Sequence, residues 1–350
     1  MAAAAARGVR KIGVFGGGSF GTAMAFVLAS NGHDVTILAR SQETVDSINN
    51  THRNSRYVAS FDLPENITAS TDCAEVCRDA EMLVHAVPMQ SSLDFLARNK
   101  EHIPPHVPIV SVSKGIHSEK LIVMSEVFPE ALGRNQPTAF LSGPSFAKEL
   151  MQKVPTALVV ASESPDVSKL VQDMFSSDVV RVYTSDDVLG VELGGALKNV
   201  FAIGAGIAAG LDLGNNTIAA FVTRGCHELR MIAMAVGAKP ETLSGLSGIG
   251  DLMLTCFGSL SRNRTVGYRL GQGETLEQII ETSVEVAEGI PTTAAAVKLL
   301  DKYNLDLPII RTVAGILSGK ITAKEGVPLL MRLPLTDEAT SPGAPAEVKS

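Results

Sequence analysis

The chain has 350 residues, enough for about two domains and for a core that needs no disulfide or metal to hold it together. Apolar residues make up 45% and charged residues 19% of the chain, which excludes a disordered protein. Acidic residues outnumber basic ones by 37 to 30, and the net charge of −7 argues against a nucleic-acid binder, which must neutralise phosphates. An anionic small substrate remains compatible with this charge, because a few local cations can dominate one cleft.

Short β-rich runs alternate with helical stretches over the first half of the chain. Strands are predicted at residues 11–16, 34–40, 81–87, 107–113, 138–143, 156–162 and 179–185. Most of these runs are continuously apolar, as strands are when helices cover both faces of a parallel sheet. The repeated β–α units therefore predict an α/β fold with a doubly wound sheet of the Rossmann type.

From residue 188 onward the strand signals disappear and helical patterns take their place. Helix-period apolar segments cover residues 188–211, 216–236, 275–283, 292–304, 308–319 and 322–331, with Gly and Pro between them. We therefore expect an α/β domain over residues 1–187, an all-α domain over residues 188–335 and a disordered tail over residues 336–350. A cleft between two domains is the usual place for a ligand.

The cysteines and apolar segments favour an intracellular protein without membrane insertion. The four cysteines are Cys73, Cys77, Cys226 and Cys256. They are too few and too scattered for a disulfide scaffold, and we expect them to be small buried thiols that bind no metal. The Ala-rich start lacks the apolar core of a signal peptide. The longest apolar run, residues 200–213, falls one or two turns short of the ~20 residues that span a bilayer.

A glycine-rich segment follows the first predicted strand. Residues 16–21 have the sequence GGGSFG, which fits G-x-G-x-x-G between a strand and a helix near the start of the chain. In that setting Gly16 makes the tight turn, Gly18 lets the backbone approach a pyrophosphate and Gly21 lets the helix pack closely on the strand. The N–H groups at the start of the helix then face the phosphates. The pattern predicts a dinucleotide site, with a glycine-rich surface turn as the alternative.

The second predicted strand ends at Arg40, where many NAD-binding proteins place an acidic residue that contacts the ribose. A guanidinium can pair with the 2′-phosphate of NADP or stack on adenine, and Arg40 can equally be a solvated side chain. Glu43 and Asp46 follow closely enough to reach the ribose instead. The cofactor is therefore NAD or NADP, and the preference stays open.

Five segments of the chain resemble, in the same order, the soluble NAD(P)-dependent sn-glycerol-3-phosphate dehydrogenases of the bacterial and plastid-type branch. They are residues 16–25 (GGGSFGTAMA), 112–116 (VSKGI), 141–150 (LSGPSFAKEL), 195–206 (GALKNVFAIGAG) and 245–267 (GLSGIGDLMLTCFGSLSRNRTVG). The resemblance implies a Rossmann-type domain followed by a helical domain. It also implies the reversible reduction of dihydroxyacetone phosphate to sn-glycerol 3-phosphate with NAD or NADP, which supplies glycerolipid synthesis.

The resemblance further implies a role for each residue that matches a family motif. The catalytic group falls on Lys198, Lys114 and Asp251. Substrate-binding residues fall on Thr255, Ser261, Arg262, Asn263, Gly143 and Ser145. Cofactor contacts fall on Gly16, Gly18, Ser19, Phe20, Gly21, Arg40, Lys114, Ala147, Arg262, Val286 and Glu288.

The residue types suit the reduction of a ketone, which produces an alkoxide that needs a proton. A general acid works best with a pKa near neutral, so the pKa of a lysine must fall from its usual ~10.4 through burial or a neighbouring cation. Lys114 and Lys198, expected in different domains, can lower each other, with Asp251 orienting an ammonium group. Lys198 lies in an apolar helix, where an idle lysine is costly, whereas Lys114 can also be a solvent-facing cap and Asp251 a helix cap. Arg262 can bind a phosphate with two N–H groups, and Asn263 at a helix start can add donors.

Two other functions compete with this one. A related two-domain 3-hydroxyacid dehydrogenase would need a carboxylate-binding segment in place of SRNR at residues 261–264. A catalytically silent NAD(P)-binding regulatory protein would have lost one of the two lysines or the aspartate of the predicted site. As partners we expect a phosphorylated small molecule, no nucleic acid and a second copy of the chain in a homodimer. The expected compartment is the cytoplasm, or the plastid stroma in a photosynthetic source.

Overall fold

The computed structural model describes residues 8–283, 287–335 and 337–338, which form two compact units. The first unit comprises residues 8–113, 124–141 and 145–188, and the second comprises residues 114–123, 142–144 and the described residues from 189 onward. The sequence-based boundary at residue 187 left Lys114 and Gly143 in the first domain. The structure groups both residues with the second unit.

The strands of the first unit form one eight-stranded sheet in the order β3-β2-β1-β4-β5-β6-β7-β8. Their bounds are β1 (Lys11–Phe15), β2 (Asp34–Leu38), β3 (Ile67–Ser70), β4 (Met82–His85), β5 (Ile109–Ser111), β6 (Thr138–Ser142), β7 (Thr156–Ala161) and β8 (Val180–Ser185). The pairs from β3 through β6 are parallel, and so are β7 and β8. Because β1 pairs with both β2 and β4, the winding direction reverses beside β1, as in a doubly wound sheet. The predicted α/β class is confirmed.

Helices of the first unit cover this sheet and bury its strands. They are α1 (Ser19–Ser30), α2 (Gln42–Thr51), α3 (Cys73–Cys77), α4 (Met89–Asn99), α5 (Met124–Leu132), α6 (Ala147–Met151) and α7 (Pro165–Phe175). Strand residues such as Val14, Ile37 and Val84 are fully buried, and residues 21–29 of α1 are all buried. Burial on both faces explains why the strands appear in the sequence as continuous apolar runs.

The sequence did not predict β3, the strand at one edge of the sheet. Its four residues, Ile67–Ser70, include a Thr and a Ser, and Thr68 is exposed. An edge strand this short does not form the continuous apolar run that marks the inner strands. The other seven predicted strands begin and end within two residues of the observed ones.

The second unit is helical, and no strand occurs among the described residues after Ser185, as predicted. Its helices are α8 (Val188–Gly210), α9 (Gly214–Val236), α10 (Pro240–Leu243), α11 (Asp251–Phe257), α12 (Arg262–Gly271), α13 (Leu276–Thr282), α14 (Gly289–Lys302), α15 (Pro308–Leu317) and α16 (Ala323–Met331). A π-helical turn at Leu246–Gly250 runs directly into α11.

Helix α8 is a buried helix in the core of the second unit. Its 23 residues are long and apolar enough to cross a membrane, so the apolar segment is longer than the run of residues 200–213 suggested. Within the unit, however, 83% of its most apolar stretch is buried, and its side chains belong to the common core of the helices. Such burial is typical of the core helix of a folded domain.

Glycines bring the backbones of α8 and α12 into direct contact. A Cβ atom built on Gly206 of α8 would lie 2.1 Å from the carbonyl oxygen of Arg264. A Cβ atom built on Gly267 of α12 would lie 1.9 Å from the carbonyl oxygen of Ile203. The contact leaves no room for either side chain, and it sets the spacing between the helix that carries Lys198 and the helix that begins at Arg262.

Candidate active site

Lys114, Lys198 and Asp251 meet inside the second unit. The Oδ1 atom of Asp251 accepts a hydrogen bond from Lys198 Nζ at 2.5 Å, and Oδ2 accepts one from Lys114 Nζ at 2.6 Å. The carboxylate is 1% exposed, the Lys198 side chain 9% and the Lys114 side chain 17%. One buried carboxylate therefore pairs with two ammonium groups, and the cluster carries a net positive charge. Both lysines lie in the second unit of the structure, whereas the sequence placed Lys114 in the first domain.

The backbone before Asp251 places its carboxylate. Residues Leu246–Gly250 form a π-helical turn, a rare conformation that frequently occurs at functional sites. A Cβ atom on Gly248 would lie 1.9 Å from the carbonyl oxygen of Leu243, so this turn excludes any larger residue. Asp251 is the first residue of α11, and both of its carboxylate oxygens bind lysines. Its side chain is thus committed to the ammonium groups and not to a helix cap.

Thr255, one helical turn after Asp251, completes the surroundings of Lys198. Its hydroxyl donates to the carbonyl oxygen of Asp251 at 2.6 Å and accepts from Lys198 Nζ at 2.8 Å. An ammonium group has three N–H donors, and two of them are used by Asp251 and Thr255. Within the described chain Lys198 makes no other side-chain hydrogen bond, so one N–H can reach a ligand.

Burial sets the protonation of this cluster. It lowers the pKa of Lys198 to about 8, with a smaller contribution from the charge of Lys114 and against the opposing attraction of Asp251. Burial alone would raise the pKa of Asp251, but the two ammonium groups outweigh it and hold that pKa below its usual value. At neutral pH the aspartate is ionised and Lys198 is an ammonium group that gives up its proton readily. Both causes of a lowered lysine pKa that the sequence suggested are present.

The segment at residues 261–264 begins α12 beside α8. Ser261 is buried and caps this helix by accepting the N–H of Arg264 at 3.2 Å, while the Arg262 side chain is exposed. Asn263 donates to Asn199 Oδ1 at 2.9 Å and accepts the N–H of Gly289 at 2.9 Å. The Asn263 amide thus joins α8 and α12 to the start of α14. Asn199, which follows Lys198 directly, was not singled out from the sequence.

The remaining expected residues are divided between the units. The Gly143 carbonyl, at a residue with φ of +130°, accepts a hydrogen bond from Lys114 Nζ at 3.3 Å in the second unit. Ser145 and Ala147 belong to the first unit, where Ala147 begins α6. Glu288 directly precedes α14. Val286 lies outside the described residues.

The glycine-rich loop after β1 has the shape that a dinucleotide needs. Gly16 adopts a φ of +109°, and its N–H donates to the carbonyl oxygen of Leu38 on the neighbouring strand. A Cβ atom on Gly21 would lie 2.0 Å from the Gly16 carbonyl oxygen, whereas one on Gly18 would have no neighbour within 4 Å. The space in front of the α1 N-terminus, where Ser19 and Phe20 begin the helix, is therefore open beside Gly18. A pyrophosphate fits this arrangement.

Cationic side chains lie where β2 ends. The Arg40 guanidinium lies 3.5 Å from the Tyr57 hydroxyl, and the Arg56 guanidinium lies 5.5 Å from the centre of the Tyr57 ring. Asp46, a possible ribose contact, accepts a hydrogen bond from Gln42 one turn earlier. The two arginines suit an anionic group, and Tyr57 is a residue that the sequence did not single out.

Other reactive side chains have structural surroundings. Among residues 8–283, 287–335 and 337–338, no group of three or more His, Cys, Asp or Glu side chains could hold a metal ion. All four cysteines are free thiols, three of them buried and Cys226 half-buried. Glu228 is buried, and its carboxylate accepts the N–H groups of Ile309 and Ile310 at the start of α15.

Family models, relatives and a solved structure of one enzyme family match this chain. The model for the NAD-dependent glycerol-3-phosphate dehydrogenase N-terminus matches residues 11–168, and the model for its C-terminus matches residues 187–328. A chloroplastic glycerol-3-phosphate dehydrogenase [NAD(+)] of Oryza sativa is 49% identical over 332 residues, covering 94% of this chain and 76% of the relative. A glycerol-3-phosphate dehydrogenase [NAD(P)+] of Leptospira biflexa is 47% identical over 330 residues, covering 94% and 99%. The crystal structure of glycerol-3-phosphate dehydrogenase from Coxiella burnetii matches with a TM-score of 0.88 and 34% identity, covering 93% and 99%.

Proposed function

Because the chain belongs to the NAD-dependent glycerol-3-phosphate dehydrogenase family, we propose that its lysine cluster reduces dihydroxyacetone phosphate to sn-glycerol 3-phosphate and catalyses the reverse reaction. The observation that carries this proposal is the remaining N–H of Lys198. This donor belongs to a buried ammonium group with a pKa of about 8, held by Asp251 and Thr255. Such a group can give a proton at neutral pH and take it back.

The chain's own residues perform the proton transfer and stabilise charge. NAD(P)H, when bound, supplies the hydride that reaches the ketone carbon of the substrate. Lys198 donates its proton to the ketone oxygen as negative charge develops there, and neutral Lys198 accepts that proton in the reverse direction. Asp251 holds both ammonium groups in place, and Lys114 adds a second positive charge next to the developing alkoxide.

The glycine-rich loop is the proposed site for the pyrophosphate of the cofactor. The positive φ of Gly16 and the open side of Gly18 support this assignment, since they let backbone N–H groups approach phosphate oxygens. The family resemblance adds Ser19, Phe20, Ala147 and Glu288 as cofactor contacts. We propose that both NADH and NADPH are accepted, because no carboxylate ends β2 where it would repel a 2′-phosphate.

Replacing Lys198 tests the proposed catalytic group. Lys198→Ala should abolish the oxidation of NADH by dihydroxyacetone phosphate, because the proton donor is lost, while the dissociation constant of NADH stays close to wild type. Steady-state absorbance and NADH fluorescence titration measure the two quantities. Substantial turnover in the variant would contradict the role of Lys198. A wild-type chain that binds NADH but never oxidises it would instead favour a silent binding protein.

Arg262 is the proposed contact for the substrate phosphate. Its exposed guanidinium stands in the first turn of α12, beside α8, and a guanidinium can donate two parallel hydrogen bonds to a phosphate. Arg262→Ala should raise the KM for dihydroxyacetone phosphate far more than the KM for unphosphorylated dihydroxyacetone. An equal loss with both substrates would mean that Arg262 does not recognise the phosphate.

The cellular setting follows from the same proposal. The product would supply glycerolipid synthesis, in the cytoplasm or in a plastid stroma, and relatives of both bacterial and chloroplastic origin support these two compartments. We propose a homodimer as the working form, which sedimentation of the purified chain can test.

A further inference from the structure

The side chain of Asn54 holds the glycine-rich loop from within the first unit. Asn54 follows α2 and is fully buried. Its amide nitrogen donates one hydrogen to the carbonyl oxygen of Gly17 and the other to Thr22 Oγ1, both at 2.8 Å. The Gly17 carbonyl can only accept a hydrogen bond, so the amide nitrogen, and not its oxygen, must face the loop.

This hydrogen bond orients the peptide unit that joins Gly17 to Gly18. In a trans peptide the C=O and N–H groups point in opposite directions. A Gly17 carbonyl directed at Asn54 therefore turns the N–H of Gly18 away from Asn54. Gly18 has open space around it, since a Cβ built there would have no neighbour within 4 Å. Three consecutive glycines restrict their own backbone very little, so an outside contact has a large effect on their conformation.

The second hydrogen bond of the Asn54 amide, to Thr22, fixes the start of α1 as well. Thr22 is fully buried in the first turns of that helix, and its N–H donates to the Gly18 carbonyl at 2.9 Å. The Asn54 amide thus fixes both the Gly17 carbonyl and the Thr22 side chain. Thr22 in turn binds the Gly18 carbonyl through its backbone N–H. The backbone carbonyl of Asn54 also accepts the N–H of Val58 at 3.1 Å, which fixes the turn that carries the side chain.

We propose that Asn54 is a positioning residue for the dinucleotide: its amide keeps the Gly17–Gly18 peptide oriented so that backbone N–H groups face the pyrophosphate. This inference rests on the proposed function, because it needs the loop to bind NAD(P)H. Asn54 does not touch the cofactor itself in this proposal. It acts through the loop, and its loss changes cofactor binding without changing the chemistry at Lys198.

Asn66 provides a matched control at the other end of α1. Its amide nitrogen also donates two hydrogen bonds to the backbone of the first unit, to the Ala29 carbonyl at 3.0 Å and to the His33 carbonyl at 2.7 Å. Asn66→Ala thus removes a similar pair of bonds far along the helix from the glycine-rich loop. Both variants should lower the melting temperature, but only the change at Asn54 should affect the cofactor.

The experiment compares wild type, Asn54→Ala, Asn54→Asp and Asn66→Ala by NADH and NADPH titration, by steady-state kinetics and by thermal melting. Both Asn54 variants should raise the dissociation constants and KM values of NADH and NADPH alike, by roughly 10-fold or more, while kcat at saturating cofactor stays near wild type. Asn54→Asp keeps the volume of the side chain but places an oxygen against the Gly17 carbonyl, so it tests the hydrogen bond if the smaller variant does not fold.

Two results would overturn the inference. Dissociation constants within twofold of wild type in the folded Asn54→Asp variant would mean that the loop does not need this amide. An increase in Asn66→Ala as large as that in Asn54→Ala would mean that general destabilisation of the unit is the cause. A wild-type chain that binds neither NADH nor NADPH is a different outcome, since it contradicts the proposed function and not the role of Asn54 within it.

Discussion

Each carboxylate oxygen of Asp251 accepts a hydrogen bond from one lysine ammonium group, and this pairing decides what the site can bind. Its carboxylate cancels one of the two positive charges of Lys114 and Lys198, so the buried cluster keeps a net positive charge. Buried positive charge favours negative charge beside it, and an anionic ligand or a developing alkoxide supplies this. The cluster is therefore better suited to the transition state than to the neutral ketone, which is what catalysis requires.

The pH dependence of ketone reduction should report the pKa of Lys198. Reduction needs the ammonium form, so kcat/KM should fall as the pH rises above about 8. Asp251 raises the pKa of Lys198, and Asp251→Asn should therefore move this fall to lower pH and reduce the rate. The measurement is kcat/KM for dihydroxyacetone phosphate between about pH 6 and 9.5, the range over which a lysine with this pKa titrates.

Thr255→Val provides the comparison for this profile, because it removes a hydrogen bond to Lys198 without changing any charge. Its rate is expected to be lower, but the pH at which the rate falls should stay close to that of wild type. A profile for Asp251→Asn that coincides with the wild-type profile would contradict the electrostatic role of the aspartate.

Arg40 decides between the two dinucleotides if it binds a 2′-phosphate. With Arg56 and Tyr57 nearby, it lies in a cationic environment at the end of β2. Arg40→Ala should then weaken NADPH more than NADH, by about 1–3 kcal/mol, the value of a charge-assisted hydrogen bond. Titration of both cofactors measures the difference. Equal weakening would indicate stacking on adenine, and undetectable NADPH binding by wild type would contradict the phosphate contact altogether.

Among the helices, α15 depends on a cap from a distant residue. It begins at Pro308, its N-cap residue Leu307 offers no side-chain acceptor, and Glu228 of α9 binds the N–H groups of Ile309 and Ile310 at 2.8 and 3.0 Å. The buried carboxylate thus replaces a local cap, and its acceptor oxygens satisfy N–H groups that the helix itself cannot. Glu228 is buried, so this cap lies in the core of the unit.

The burial of Glu228 should make the stability of the second unit depend on pH. Burial raises the pKa of Glu228 to about 7 in the folded chain, above the usual value near 4.5. Its contribution is therefore complete below pH 4.5 and is lost as the pH rises through about 7, a change of roughly 3 kcal/mol. Glu228→Gln should be less stable overall, because an amide nitrogen would face one N–H donor, but it should lack this decline. Urea unfolding of wild type and Glu228→Gln between about pH 4.5 and 7.5 measures the free energy of unfolding of each protein. Equal declines in the two proteins would refute the assignment of the pH dependence to Glu228.

At the scale of the whole molecule, the sequence predicted what depends on local patterns. Continuous apolar runs identify every strand except the short edge strand β3, and helix-period segments identify six helices of the second unit. The division into units depends instead on contacts between distant residues. Lys114 bonds to a carboxylate 137 residues later in the chain, and no local pattern could place residues 114–123 with the second unit.

The same difference applies to the candidate site. Lys198, Asp251 and Thr255 stand in segments whose motifs are recognisable, and the structure brings all three together. Asn54 and Asn199 could not be identified in this way, because a single asparagine has many structural uses. Their roles appear only when the partners of their amide groups are known.

The contact between the α8 and α12 backbones limits how this protein can be stabilised. Alanine is a better helix former than glycine by about 1 kcal/mol, and exchanging glycines for alanines is a common way to raise thermal tolerance. At Gly206 and Gly267 the added methyl group would meet a carbonyl oxygen and force the two helices apart. Any gain in helix propensity would then come with a displacement of Lys198 from the start of α12. Attempts to engineer a more heat-resistant enzyme should therefore leave this helix pair unchanged and look for sites elsewhere.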